Sequence, residues 1–147
     1  MYKHILIPTD GSRTSARAAT AGVELAKSIG ARVTGFFAAP PATPLVFKQF
    51  LPVGYMSPED HEQAIERAAA AHLGVIERAA TRAGVAYRGV QVVSDFPAEA
   101  ILRAAAKGDC DLIFMAPHSR RGLAGLFVGS QTQKVLTHAK IPVLVYR

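Results

Sequence analysis

The chain has 147 residues, half of them hydrophobic and only 19% charged, which is enough for one domain with its own core and excludes a disordered chain. Its net charge of +6 comes from 17 Lys and Arg against 11 Asp and Glu. The basic residues are scattered, with Arg120-Arg121 the only adjacent pair, so they read as solvated helix faces rather than a nucleic-acid surface.

Five short apolar runs alternate with helical patterns. The first, His4-Ile5-Leu6-Ile7-Pro8, is β-branched and of the buried type. A helix is predicted from Ser12 to Ile29, with Ala18, Ala19, Gly22, Val23, Ala26 and Ile29 on one face and Gly30 at the left-handed cap. Arg32 to Ala38 is the second strand. Between Ala39 and Met56 lie Pro40, Pro41, Pro44 and Pro52, a connection long enough to be a lid, a binding loop or a partner surface. Ser57-Pro58-Glu59-Asp60 combines an N-cap serine, a first-turn proline and early acids. The helix it opens runs to Ala83, with Ile65, Ala69, His72, Ile76, Ala79 and Ala83 as its apolar stripe and Gly84 as its stop.

Tyr87 to Val93 is the third strand, and Pro97 begins a third helix that runs to Lys107 and buries Ile101, Leu102 and Ala105. Leu112 to Met115 is the fourth strand. A loop rich in Gly, Ser and Arg follows it, then a short helix capped by Ser130, then Val143 to Val145. Apolar strands separated by helices predict a parallel sheet covered on both faces, in one domain spanning residues 1–147.

In open parallel sheets, ligands bind beyond the carboxyl ends of the strands, where the strand order reverses. Two segments meet that description: Pro8-Thr9-Asp10-Gly11-Ser12 and the loop after Met115. The second carries Arg120, Arg121, Gly122, Gly125, Gly129 and Ser130 into a helix N-terminus, where backbone N–H groups and the helix dipole favour an anion. If the first and fourth strands are neighbours, Asp10 faces this loop and can accept hydrogen bonds from a ribose while the loop holds phosphates. Asp10 also fits a turn or capping role.

Other chemistry has less support. His4, His61, His72, His118 and His138 show no metal-ligand spacing, so no metal site is expected. There is no nucleophile-elbow G-x-S-x-G and no Walker lysine motif, so nothing compels catalysis. A single cysteine, Cys110, excludes an intramolecular disulfide, fits a reducing compartment and reads as a small buried residue. No signal-peptide pattern and no membrane-length apolar run is present, so a cytoplasmic location is expected.

The segments ILIPTDGS, PAEAIL, DLIFMAPHSRRG, the GS of FVGSQT, and KVLTHAKIPVLVYR together resemble the universal stress protein family over essentially the whole chain. The resemblance implies a three-layer, flavodoxin-like or Rossmann-like α/β sandwich, with a five-stranded parallel sheet in the order 3-2-1-4-5 and usually a dimer. Many members bind ATP through G-x2-G-x9-G-[ST]. That motif falls here on Ala116, Ser119, Gly129 and Ser130, so the last two positions match and the first two glycines are replaced. The resemblance also assigns nucleotide contacts to Pro8, Thr9, Asp10, Met115, His118, Gln131 and Thr132, with Arg120 adding charge and Phe37 or Phe36 beside the adenine.

The expected function is therefore a stress-type regulator that binds ATP or a related adenine nucleotide, with Mg2+ entering only with the nucleotide. The alternatives are an ATP-independent dimeric interaction protein and a slow ATPase or self-phosphorylating enzyme. The last strand, Ile141 to Tyr146, is expected at the sheet edge, where it can pair with its copy in a homodimer.

Overall fold

A computed structural model describes residues 1–41, 57–117 and 128–147. In chain order the elements are β1 (His4–Thr9), α1 (Arg13–Ile29), β2 (Arg32–Ala39), α2 (Pro58–Ala83), β3 (Tyr87–Val93), α3 (Pro97–Lys107), β4 (Leu112–Met115), α4 (Ser130–His138) and β5 (Val143–Val145). All strand pairs are parallel, and the order across the sheet is β3-β2-β1-β4-β5, as the resemblance implied.

Local signals account for most element ends. Ser12 caps α1 by accepting the N–H of Ser15, and Ser57 caps α2 by accepting that of Asp60. Gly30 and Gly84 end these two helices in the left-handed conformation, at φ 68° and 69°. The fourth helix differs from expectation. Ser130 is its first helical residue, and Gly129 occupies the cap position with no side-chain bond. Gly129 is extended there, and its carbonyl already accepts the N–H of Gln133.

Strand pleating sorts the side chains between two cores. Ile5, Ile7, Val33, Leu112, Phe114 and Ala116 pack with Ala18, Ala19, Val23 and Ala26 of α1 and Ile76, Ala79 and Ala80 of α2. Leu6, Phe36, Ile113 and Met115 pack on the other face, with Ala98, Ile101 and Ala105 of α3 and Val135 of α4. In α2 the buried residues are Ala69, Gly74, Ile76, Ala79 and Ala80; Ile65, His72 and Ala83 of the predicted stripe are only partly buried. The edge strands β3 and β5 are partly exposed, and among the described residues each pairs with a strand on one side only.

At the amino end of the sheet, Asp111 clamps the start of β1. Its carboxylate accepts the backbone N–H groups of Lys3 at 2.8 Å and His4 at 2.9 Å. Burial opposes ionisation of this carboxyl, but the two N–H donors hold its pKa below the ordinary value. The buried His4 ring shares a 2.7 Å hydrogen bond with Thr34 through Nε2, while its Nδ1 is buried without a partner among the described residues.

Candidate functional site

The β1–β2 ladder runs through six pairs to Thr9↔Phe37, whereas the β1–β4 ladder stops at Leu6↔Ile113. Strand order reverses between β1 and β4, since β1 leads by α1 to β2 on one side while β4 lies on the other. The ends of β1 and β4 thus emerge at the same, carboxyl edge of the sheet on either side of this switch point. An open α/β sheet offers its ligand crevice at such a place.

The β1–α1 turn is tightly built. Thr9 Oγ1 lies 3.1 Å from Ser15 Oγ and accepts the Gly11 N–H at 3.2 Å, while Asp10 Oδ1 accepts the Ser12 N–H at 2.9 Å. Asp10 therefore has the turn role considered above, yet its residue remains exposed and takes part in further interactions. Gly11 holds φ at 80°, and a Cβ on it would overlap the His72 ring. That ring comes from α2 and stands edge-on to Phe37, with centroids 5.1 Å apart and planes at 69°. The sequence pattern marks His72 only as part of the apolar stripe of this helix. Its place over the Gly11 turn follows from the packing of α2 on β2, which no local pattern records.

On the β4 side, Met115 and Ala116 point to opposite faces of the sheet. Met115 belongs to the α3–α4 core and Ala116 to the α1 core. Ala116 is 8% exposed and belongs to the same apolar cluster as Phe114 and the buried residues of α1. Among the described residues, Asp109 is the sole non-glycine with positive φ, so Ala116 adopts a backbone that needs no glycine. Its carbonyl accepts the Thr132 hydroxyl at 3.3 Å, which ties the end of β4 to the first turn of α4. Gln131 Oε1 accepts the Ala98 N–H at 3.3 Å, tying the same turn to α3.

The expected residues thus gather unevenly. Pro8, Thr9, Asp10, Met115, Ala116, Gly129, Ser130, Gln131 and Thr132 lie at the carboxyl edge, around the ends of β1 and β4 and the start of α4. The Phe37 ring is 7% exposed and buried beneath α2 with Ala69 and Leu73, and Phe36 is 1% exposed on the opposite face. Both rings are covered rather than exposed. His118, Ser119 and Arg120, like Arg121, Gly122, Gly125 and most of the Ala39 to Met56 connection, lie outside the described residues.

Two further groups bear on chemistry. Cys110 is buried, and burial first, with the Asp111 carboxylate second, pushes its thiol up to about 11, far from a nucleophilic thiolate at neutral pH. Among the described residues, no cluster of three His, Cys, Asp or Glu side chains is arranged to hold a metal ion, and no helix is long and apolar enough to cross a membrane.

The profile of the universal stress protein family matches residues 1–147. The chain belongs to that family. It is 34% identical over 148 residues to a universal stress protein of Thermus aquaticus encoded 3′ of a sulfhydrylase, covering 100% of both chains. A universal stress protein in complex with cAMP superposes with a TM-score of 0.70 at 20% identity, covering 99% of this chain and 97% of the other. The universal stress protein of Archaeoglobus fulgidus in complex with dAMP gives 0.64 at 18% identity, covering 99% and 98%. At such identities the universal stress protein structures speak for the fold, which is shared along the whole chain.

Proposed function

We propose that this chain is a cytoplasmic, stress-type regulatory protein: a single domain that binds an adenine nucleotide between the β1–α1 turn and the first turn of α4. The observation that carries the reading is the orientation of Ala116. The first motif glycine is replaced, but the added methyl is packed in the α1 core, so it neither strains the backbone nor fills the crevice. Gly129 supports the same reading. Its φ of −58° is open to any residue, so its lack of a side chain suits close approach of a ligand to the helix N-terminus. Relatives of the same fold hold cAMP and dAMP, which makes the adenosine monophosphate class the natural first ligand to test. ATP carries more charge for Arg120 and Arg121 to meet, and Mg2+ would accompany its phosphates rather than occupy a site of its own.

Calorimetric titration of nucleotide-stripped protein with ATP, ADP and AMP tests this directly. Valine fits the backbone at position 129, so Gly129→Val is expected to remain folded and to lose binding. Equal affinity in that variant would reject the site. The second reading, a nucleotide-independent dimeric interaction protein, rests on Ser119 in place of the second glycine and on the partly exposed β5 edge with Leu144 and Tyr146. Homodimerisation through β5 is compatible with either reading.

A further inference from the structure

A nucleotide site needs a surface for the base, and neither phenylalanine of β2 provides one, because Phe36 and Phe37 are buried on opposite faces of the sheet. Phe96 has the opposite character. It is 60% exposed and stands at the N-cap of α3, a position that favours a short polar side chain. Its ring makes no cap hydrogen bond; Gln131 reaches over from α4 to accept the Ala98 N–H instead. Among the described residues, the ring joins none of the apolar clusters.

The backbone beneath that ring is nevertheless firmly held. The Phe96 N–H donates to Ser94 Oγ at 3.0 Å, its carbonyl accepts the Ala100 N–H at 3.0 Å, and the Ser94 N–H donates to the Ala39 carbonyl at 2.8 Å. These bonds anchor the residue to the end of β2 at the carboxyl edge of the sheet. The Gln131–Ala98 bond links its helix to the α4 turn that contains Ser130. An exposed aromatic ring on a backbone tied to the first turn of α4 offers a stacking face near a helix N-terminus that favours anions.

We propose that Phe96 is the nucleobase platform of this site, which makes its ligand a nucleoside phosphate rather than a simple anion. The proposal rests on the nucleotide reading above. The chain contains no tryptophan, so Phe96→Trp places the one tryptophan fluorophore at the platform. AMP is expected to quench its emission saturably, with an affinity close to that of the unaltered protein. Phe96→Ala, an exposed change, is expected to keep the melting temperature and weaken AMP binding about 5- to 150-fold, the loss associated with one stacked base. Full AMP affinity in the alanine variant, or unquenched emission from Phe96→Trp while AMP is bound, would overturn the platform and leave the nucleotide site standing. Failure of the unaltered protein to bind AMP or ATP would instead remove the site, and the platform with it.

Discussion

Replacing Ala116 by glycine separates two roles that one methyl group can play. If the group blocks the crevice, its removal tightens ligand binding; if it fills the core, its removal loosens the fold. The residue is 8% exposed and clusters with Ala18, Val23 and Phe114, which favours the second outcome. Loss of one buried methyl costs about 0.8 kcal/mol, and the added backbone freedom of glycine costs about 0.5–1 kcal/mol more. The variant is therefore expected to lose about 1–2 kcal/mol of stability, which for a chain of this size lowers Tm by roughly 3–7 °C. Thermal unfolding followed by far-ultraviolet circular dichroism reads the first quantity, and calorimetric titration with AMP reads the second. Affinity should be unchanged. A tighter complex at unaltered Tm would refute the reasoning, because it would show that the Ala116 Cβ stands in the path of the ligand.

Gly11→Ala should be destabilising, since it forces an L-residue to a φ of 80° at a cost of about 1–2 kcal/mol and drives a Cβ into the His72 ring; an unchanged melting temperature would contradict the packing of α2 over this turn. His4 should contribute acid sensitivity. Burial, then the neighbouring Arg32, keep its imidazole below the ordinary value of 6.5, so the unfolded chain takes up a proton before the folded one does. Stability from this group is complete above that value and declines as the pH falls toward the lower folded pKa. His4→Gln, which can keep a hydrogen bond to Thr34, should lose less stability than the unaltered protein between about pH 7.5 and about pH 5.5 in urea titrations; equal losses would rule out His4 as the source. Leu144→Arg on the β5 edge should shift sedimentation toward monomer if β5 is the dimer contact, and an unaltered dimer would exclude that strand.

The place of the candidate site is legible in the sequence, because the switch point needs only strand order and the ends of β1 and β4. Pro8-Thr9-Asp10 and Gly129-Ser130 could be placed at one edge of the sheet from the motif and the alternation of elements. The facing of individual side chains could not. Phe36 and Phe37 are adjacent in sequence and equally aromatic, yet the pleat sends one toward α3 and the other beneath α2. The same pleat turns Met115 and Ala116 to opposite cores, which changes the meaning of the lost glycine.

Helix and strand positions, the caps at Ser57, Gly30 and Gly84, and the parallel class of the sheet were determined by the chain alone, since each depends on residues within a few positions of one another. The fold decided the exposed Phe96 at the head of α3, its replacement as a cap by Gln131, the grip of Asp111 on Lys3 and His4, and the His72 ring against Gly11. Each of these joins segments distant in sequence, and their meeting is set by how helices pack on a twisted sheet rather than by any local preference.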